Sequence, residues 1–141
     1  MPEVPVVPTV WRFPAHPASV RRARHAVAEA LPHGLAPGLG SELGLITSEL
    51  VTNAVRYGTC GDDVVELVLW PADGHYWLAV SDPGAGRPAL GHLPPDDAES
   101  GRGLLLVDSL AAVWAVVPRR CRGKSVVAGL ALTGEPGAGR G

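Results

Sequence analysis

Ser48-Glu49-Leu50-Val51-Thr52-Asn53-Ala54-Val55-Arg56-Tyr57-Gly58 contains the only asparagine of the chain, four residues after a glutamate. On a helix, positions i and i+4 share a face, so Glu49 and Asn53 can aim a carboxylate and an amide carbonyl at one spot. Asparagine is disfavoured inside helices because its side chain competes for nearby backbone groups, so one at this position wants a further reason. A chemical one is available: phosphoryl transfer needs a base beside a metal ligand. The bland alternative for each residue alone is a solvated glutamate at a helix edge and a surface or capping amide.

Outward from this stretch, Leu43, Ile46, Leu50 and Ala54 recur at helical spacing, and Gly58 is a stop signal, which predicts a helix over 41–57. Upstream, Pro17 suits a first helical turn. Val20, Ala23, Val27 and Leu31 form an apolar stripe opposite Arg21, Arg22, Arg24 and His25, with 34–40 as a turn region. Residues 1–9 read as a loose, proline-rich segment, and 10–13 as a short edge strand. Downstream, 64–70 and 76–81 alternate like strands around the turn residues 71–74 and read as a hairpin. A helix over about 104–111 and strands over 113–117 and 125–132 complete the pattern, and 133–141 reads as a disordered tail.

Two glycine loops follow the helix. Asp82-Pro83-Gly84-Ala85-Gly86 comes directly after a strand, where glycines let the backbone pass close to a flat ligand and Asp82 can accept from an exocyclic amine; a plain turn is the alternative. Gly101-Arg102-Gly103-Leu104 opens a helix, whose unpaired N–H groups and dipole favour an anion such as phosphate, with Arg102 and Arg87 adding positive charge. Residues 83–100 between them are too long for an ordinary connection and read as a functional loop or lid.

Other nucleotide patterns are excluded. The dinucleotide fingerprint G-x-G-x-x-G needs glycine at Leu106, and the P-loop suggested by Gly123-Lys124-Ser125 needs glycine at Pro118 and a helix after it. No G-x-S-x-G begins a serine-hydrolase triad. The five histidines are scattered and read as structural or exposed. Cys60 and Cys121 have no partner at ligand spacing and read as free thiols.

The 141 residues fit one domain, and 46% hydrophobic with 18% charged residues suits a soluble protein. No apolar run approaches the roughly 20 residues of a membrane span. The net charge of −2 argues against a nucleic-acid partner held by electrostatics. Met1 is followed by no basic and apolar leader, so the expectation is a cytoplasmic protein.

Taken in order, these segments resemble the GHKL superfamily of ATPases, which includes the ATP domains of gyrase, heat-shock chaperones, histidine kinases and mismatch-repair proteins. The resemblance covers about residues 10–132 as one ATP-binding domain. Glu49 to Asn53 is similar to the family's N box, Asp82 to Gly86 to its first glycine box, and Gly101 to Leu104 to its second. Gly123-Lys124-Ser125 stands where the family has a closing glycine and hydroxyl. The small size, and a first helix just before the N box, look most like the anti-sigma-factor serine kinases.

The resemblance implies an α/β (α+β) two-layer sandwich, with a mixed, largely antiparallel sheet, helices on one face, and ATP and Mg²⁺ as ligands. It implies that Glu49 is the catalytic base toward a serine hydroxyl and that Asn53 holds Mg²⁺ against the phosphates. Asp82 would read the adenine amine with Ser125 assisting through water, in a pocket shaped by Gly84 and Gly86. Gly101, Gly103 and Leu104 would meet the phosphates. Glu99 stands where such kinases often carry arginine, so a γ-phosphate contact would fall to Arg102 or be absent. Tyr57 replaces a frequent histidine.

The implied partners are a sigma factor and an anti-anti-sigma antagonist, met in part through Arg21 and Arg24, and a homodimer is compatible with the resemblance. Transfer of the ATP γ-phosphate to a serine of the antagonist is the implied reaction. The alternative is a nucleotide-gated protein-binding module without physiological kinase activity.

Overall fold

The structure, a computed structural model, describes residues 8–32, 34–35, 37–59, 61–84, 106–119 and 123–132. The elements run β1 (Thr9–Pro14), α1 (Ala18–Ala30), α2 (Pro37–Tyr57), β2 (Val64–Ala72), β3 (His75–Asp82), a helical turn α3 over residues 106–110, β4 (Val113–Pro118) and β5 (Lys124–Ala131). The strands form one sheet in the order β1-β2-β3-β5-β4, and all four ladders are antiparallel.

α1 begins at a proline that already has helical dihedrals and offers no side-chain cap. Its first orphan donor is satisfied from upstream, because the Ala18 N–H donates to His16 Nδ1 at 3.0 Å. Ser19 Oγ donates to the Pro14 carbonyl at 2.7 Å and ties the helix to the end of β1.

α2 starts at Pro37, four residues before the position the sequence pattern suggests. Proline is suited to a first helical turn, and Leu39, buried to 3% exposure, anchors a segment that Gly38 and Gly40 make read as a turn. The expected stripe of Leu43, Ile46, Leu50 and Ala54 is buried, joined by Val51.

β2 and β3 extend to a two-residue turn, Asp73-Gly74, in which both residues have positive φ (53° and 72°), the backbone demanded by the tight hairpin turn that matches strand twist. Leu67, Leu69, Leu78, Val80, Val126, Ala128 and Leu130 project from the sheet into a core shared with Ala23 and Val27 of α1 and the stripe of α2. Strand alternation sends their neighbours to the opposite face. There Arg12 pairs with Glu66 at 3.0 Å, and Trp70 stacks on Trp77 with centroids 6.3 Å apart. Trp77 lies over Gly129, where a Cβ would come within 2.6 Å of its ring. No helix among the described residues is long and apolar enough to cross a membrane.

Candidate functional site

Asp82 is the last residue of β3 and is 2% exposed. It stands directly opposite Lys124, the first residue of β5, in the β3–β5 ladder. Lys124 Nζ donates to both Oδ1 and Oδ2 of Asp82 at 3.0 Å, and the Gly84 N–H donates to Oδ1 at 3.0 Å. Burial pushes the Asp82 carboxyl above its ordinary range. The hydrogen bond and charge of Lys124, the Gly84 N–H and the charge of Arg119 pull the other way.

Three glycines make this packing possible. A Cβ on Gly58, which follows α2, would run into the Asp82 carboxylate; one on Gly84 would run into the Gly58 carbonyl. Gly123 has φ +91°, and a Cβ there would run into the Asp82 carbonyl and stand 2.6 Å from Pro83 Cα. The end of α2, the end of β3 and the start of β5 thus meet with bare backbone and enclose one carboxylate.

α2 brings a second set of polar groups. Glu49, Asn53 and Tyr57 follow at intervals of four along one face. Glu49 is half-buried and Asn53 is 9% exposed. The Asn53 Nδ2 and Tyr57 hydroxyl groups are buried with no hydrogen-bond partner among the described residues. An unpaired buried polar atom costs about 1–3 kcal/mol, so two of them on one face, next to the glycine junction, fit a surface completed by a polar ligand. The Arg56 guanidinium lies 5.2 Å from the Tyr57 ring centroid.

Ser125, expected to assist Asp82, has its hydroxyl hydrogen-bonded to that of Ser81. These two residues are paired across the ladder one position from Asp82 and Lys124, and a one-residue step along a strand turns a side chain to the other face. Lys124 is therefore the side chain that meets Asp82. The sequence signal for it is slight but specific: it is the only lysine beside eleven arginines. Gly58 and Tyr57 were likewise legible only as a helix stop and a substitution.

Gly86, Gly101, Arg102, Gly103 and Leu104, with Arg87, Glu99 and the expected lid, lie outside the described residues. Arg21 and Arg24 are exposed on α1, and the aliphatic stem of Arg24 lies over Gly44 of α2. Among the described residues no three His, Cys, Asp or Glu side chains gather around a point that could hold a metal. A Mg²⁺ ion here would draw most of its oxygens from phosphates and water, with Asn53 as the protein ligand, as that ion commonly does.

The family model for the histidine kinase-like ATPase domain matches residues 13–128, and the chain belongs to that family. The match spans both halves of the site, from β1 before the Glu49 helix to the β5 residues after Lys124. No curated protein matches the chain closely enough to stand as a relative. Membership makes this an ATP-binding domain, and the enclosed carboxylate, the glycine junction and the unpaired Asn53 amide fit that ligand.

Proposed function

We propose that this histidine kinase-like ATPase domain is an anti-sigma regulatory kinase, which uses ATP and Mg²⁺ to phosphorylate a serine of an anti-anti-sigma antagonist. The observation that carries the reading is the single face of α2 that presents Glu49 and Asn53 and ends at Gly58 against Asp82. A domain that only bound nucleotide would need the Asp82 end of this face and would have no use for a carboxylate one helical turn before the metal ligand.

Each residue has a physical task. Asp82 accepts from the exocyclic amine of adenine, which fixes the base at the junction of α2, β3 and β5. Asn53 holds Mg²⁺, whose charge offsets that of the phosphates. Glu49 takes the proton of the incoming serine hydroxyl, that oxygen bonds to the γ-phosphorus of ATP, and the bond to the β–γ bridging oxygen breaks to release ADP. Because such transition states are loose, positioning and charge carry most of the acceleration and the base a smaller part. Gly101, Gly103, Leu104 and Arg102 belong to the phosphate end in this proposal, and Arg21 and Arg24 to a partner surface on α1.

The test is incubation of the protein with labelled ATP, Mg²⁺ and candidate antagonist domains, scored for phosphoserine. Labelling that requires the serine supports the kinase. Nucleotide-dependent capture of a partner with no labelling would favour the nucleotide-gated binding module.

A further inference from the structure

We infer that Lys124 is a positioning residue for base recognition: its grip on both oxygens of Asp82 keeps that carboxylate ionised, oriented and open to a single donor, the amine of a 6-aminopurine. The inference rests on the reading of Asp82 as the base-binding residue and adds a second residue to it.

A carboxylate has about four lone-pair positions. Lys124 occupies one on each oxygen, and the Gly84 N–H takes another on Oδ1. Among the described residues no other donor takes the fourth position, on Oδ2. An ionised carboxylate with one vacancy accepts an N–H and repels a carbonyl oxygen, which is the difference between an amine and an oxo group at the purine 6-position.

The vacancy is useful only while Asp82 is charged, and its surroundings oppose that charge. Among the described residues the charged groups acting on it are Lys124 from β5 and, more weakly, Arg119 after β4. From α2 it meets Gly58, which has no charge to offer, and Glu66 of β2 points to the other face and is tied to Arg12. Lys124 itself is 6% exposed, so the pair shares its burial and its charges offset each other. Without Lys124, the carboxyl would hold a proton at higher pH and present an O–H where the amine has to arrive.

Lysine is also the side chain with the right shape. An ammonium is a compact charge on an unbranched stem, whereas a guanidinium makes the same two bonds with a larger planar group. In a chain that uses arginine at every other cationic position, the single lysine stands where compactness matters.

The experiment is calorimetric titration of ADP into wild-type protein, Lys124→Met and Lys124→Arg from pH 5 to 9. Carbon-13 NMR of the Asp82 carboxyl is recorded on the same samples. Lys124→Met should lose about 10- to 100-fold in ADP affinity at neutral pH, the range expected when a charged hydrogen bond is lost. It should regain part of that loss as pH rises. Lys124→Arg keeps the charge in a larger group, so it should recover only part of the affinity while returning the pH profile toward that of the wild type.

Equal or tighter ADP binding by Lys124→Met would mean that Lys124 blocks Asp82, and would overturn the inference. So would a loss of the same size at every pH. Should Lys124→Met not fold, the wild-type profile decides: the acid limb of ADP affinity must share its midpoint with the Asp82 carboxyl, and a mismatch overturns the inference. Wild-type protein that bound no adenine nucleotide at any pH would instead overturn the reading of the site itself.

Discussion

Gly58, the residue that follows α2, lies directly against the carboxylate of Asp82 at the end of β3. The helix that bears Glu49 and Asn53 is thereby fixed to the strand that bears Asp82, with no side chain between them. The carbonyl of Gly58 also meets Gly84, so the first glycine of the loop after β3 packs on the same point.

Gly58→Ala tests that junction. The added methyl would meet Asp82, which Lys124 and Gly84 hold in place, so neither side can yield cheaply. Overpacking of this kind costs about 1–3 kcal/mol. Urea unfolding should show that loss, with ADP affinity falling as well. Gly44→Ala is the control, since its Cβ would stand 3.6 Å from Arg24 Cγ in ordinary contact, and helix propensity favours alanine by up to about 1 kcal/mol. Equal stability of the two variants would show that the junction is looser than described.

A pH dependence follows from the raised pKa of Asp82, which burial causes against the pull of Lys124, Gly84 and Arg119. An acid whose folded pKa is raised holds its proton more tightly in the folded than in the unfolded state. Its contribution to stability is complete below the unfolded value of about 3.9 and is lost as pH rises through the folded value. Carbon-13 NMR should place the Asp82 midpoint above that unfolded value. Urea midpoints should carry a falling component over the same window. A midpoint at or below the ordinary value would mean that the ion pair outweighs burial.

The order of elements was legible because their periods differ: Leu43, Ile46, Leu50 and Ala54 repeat as a helix must, and 64–70 and 76–81 alternate as strands must. The beginning of α2 was not, since Gly38 and Gly40 argue locally for a turn and the burial of Leu39, which overrides them, is a tertiary fact. The same division holds at the site. Asp82 announces itself by standing between a strand and a glycine loop, but its partner Lys124 is 42 positions away in sequence and is found only through the β3–β5 register. Ser125 illustrates the cost of not knowing that register, because one step along β5 separates the two faces of the sheet.

Asn53 has a test that separates metal from base. Asn53→Ala should remove the Mg²⁺-dependent part of ATP affinity and leave the metal-free part in place. It also removes a buried amide nitrogen that has no partner among the described residues, so the folded protein should tolerate the change. Calorimetry with and without Mg²⁺ reads the difference. An equal loss in both conditions would assign Asn53 to the nucleotide itself.

Arg21 and Arg24 are exposed on α1, Arg21 opposite the buried residues Ser19, Ala23 and Val27 and Arg24 at the flank, where its stem lies over Gly44 of α2. If they meet an acidic partner, Arg21→Glu with Arg24→Glu should slow association with that partner and steepen no other dependence, leaving ADP affinity unchanged. Association kinetics at two salt concentrations give the measurement. A solvated face with no partner predicts the same rate as wild type, and that outcome would remove both residues from the proposed surface.

Glu49 decides between transfer and simple binding. Glu49→Gln keeps the shape and hydrogen-bonding reach of the side chain on the α2 face but cannot take a proton. Phosphoryl transfer to a cognate serine should therefore fall by about 10²–10⁴-fold, toward the lower end if the transition state is loose. ADP affinity, which the proposed function assigns to the Asp82 end of the site, should stay within twofold or so of wild type, since uniform binding is untouched. Single-turnover phosphorylation and calorimetry on the same preparations separate the two quantities. Equal transfer rates would exclude Glu49 as the base, whereas a parallel fall in both rate and affinity would show that it shapes the pocket instead.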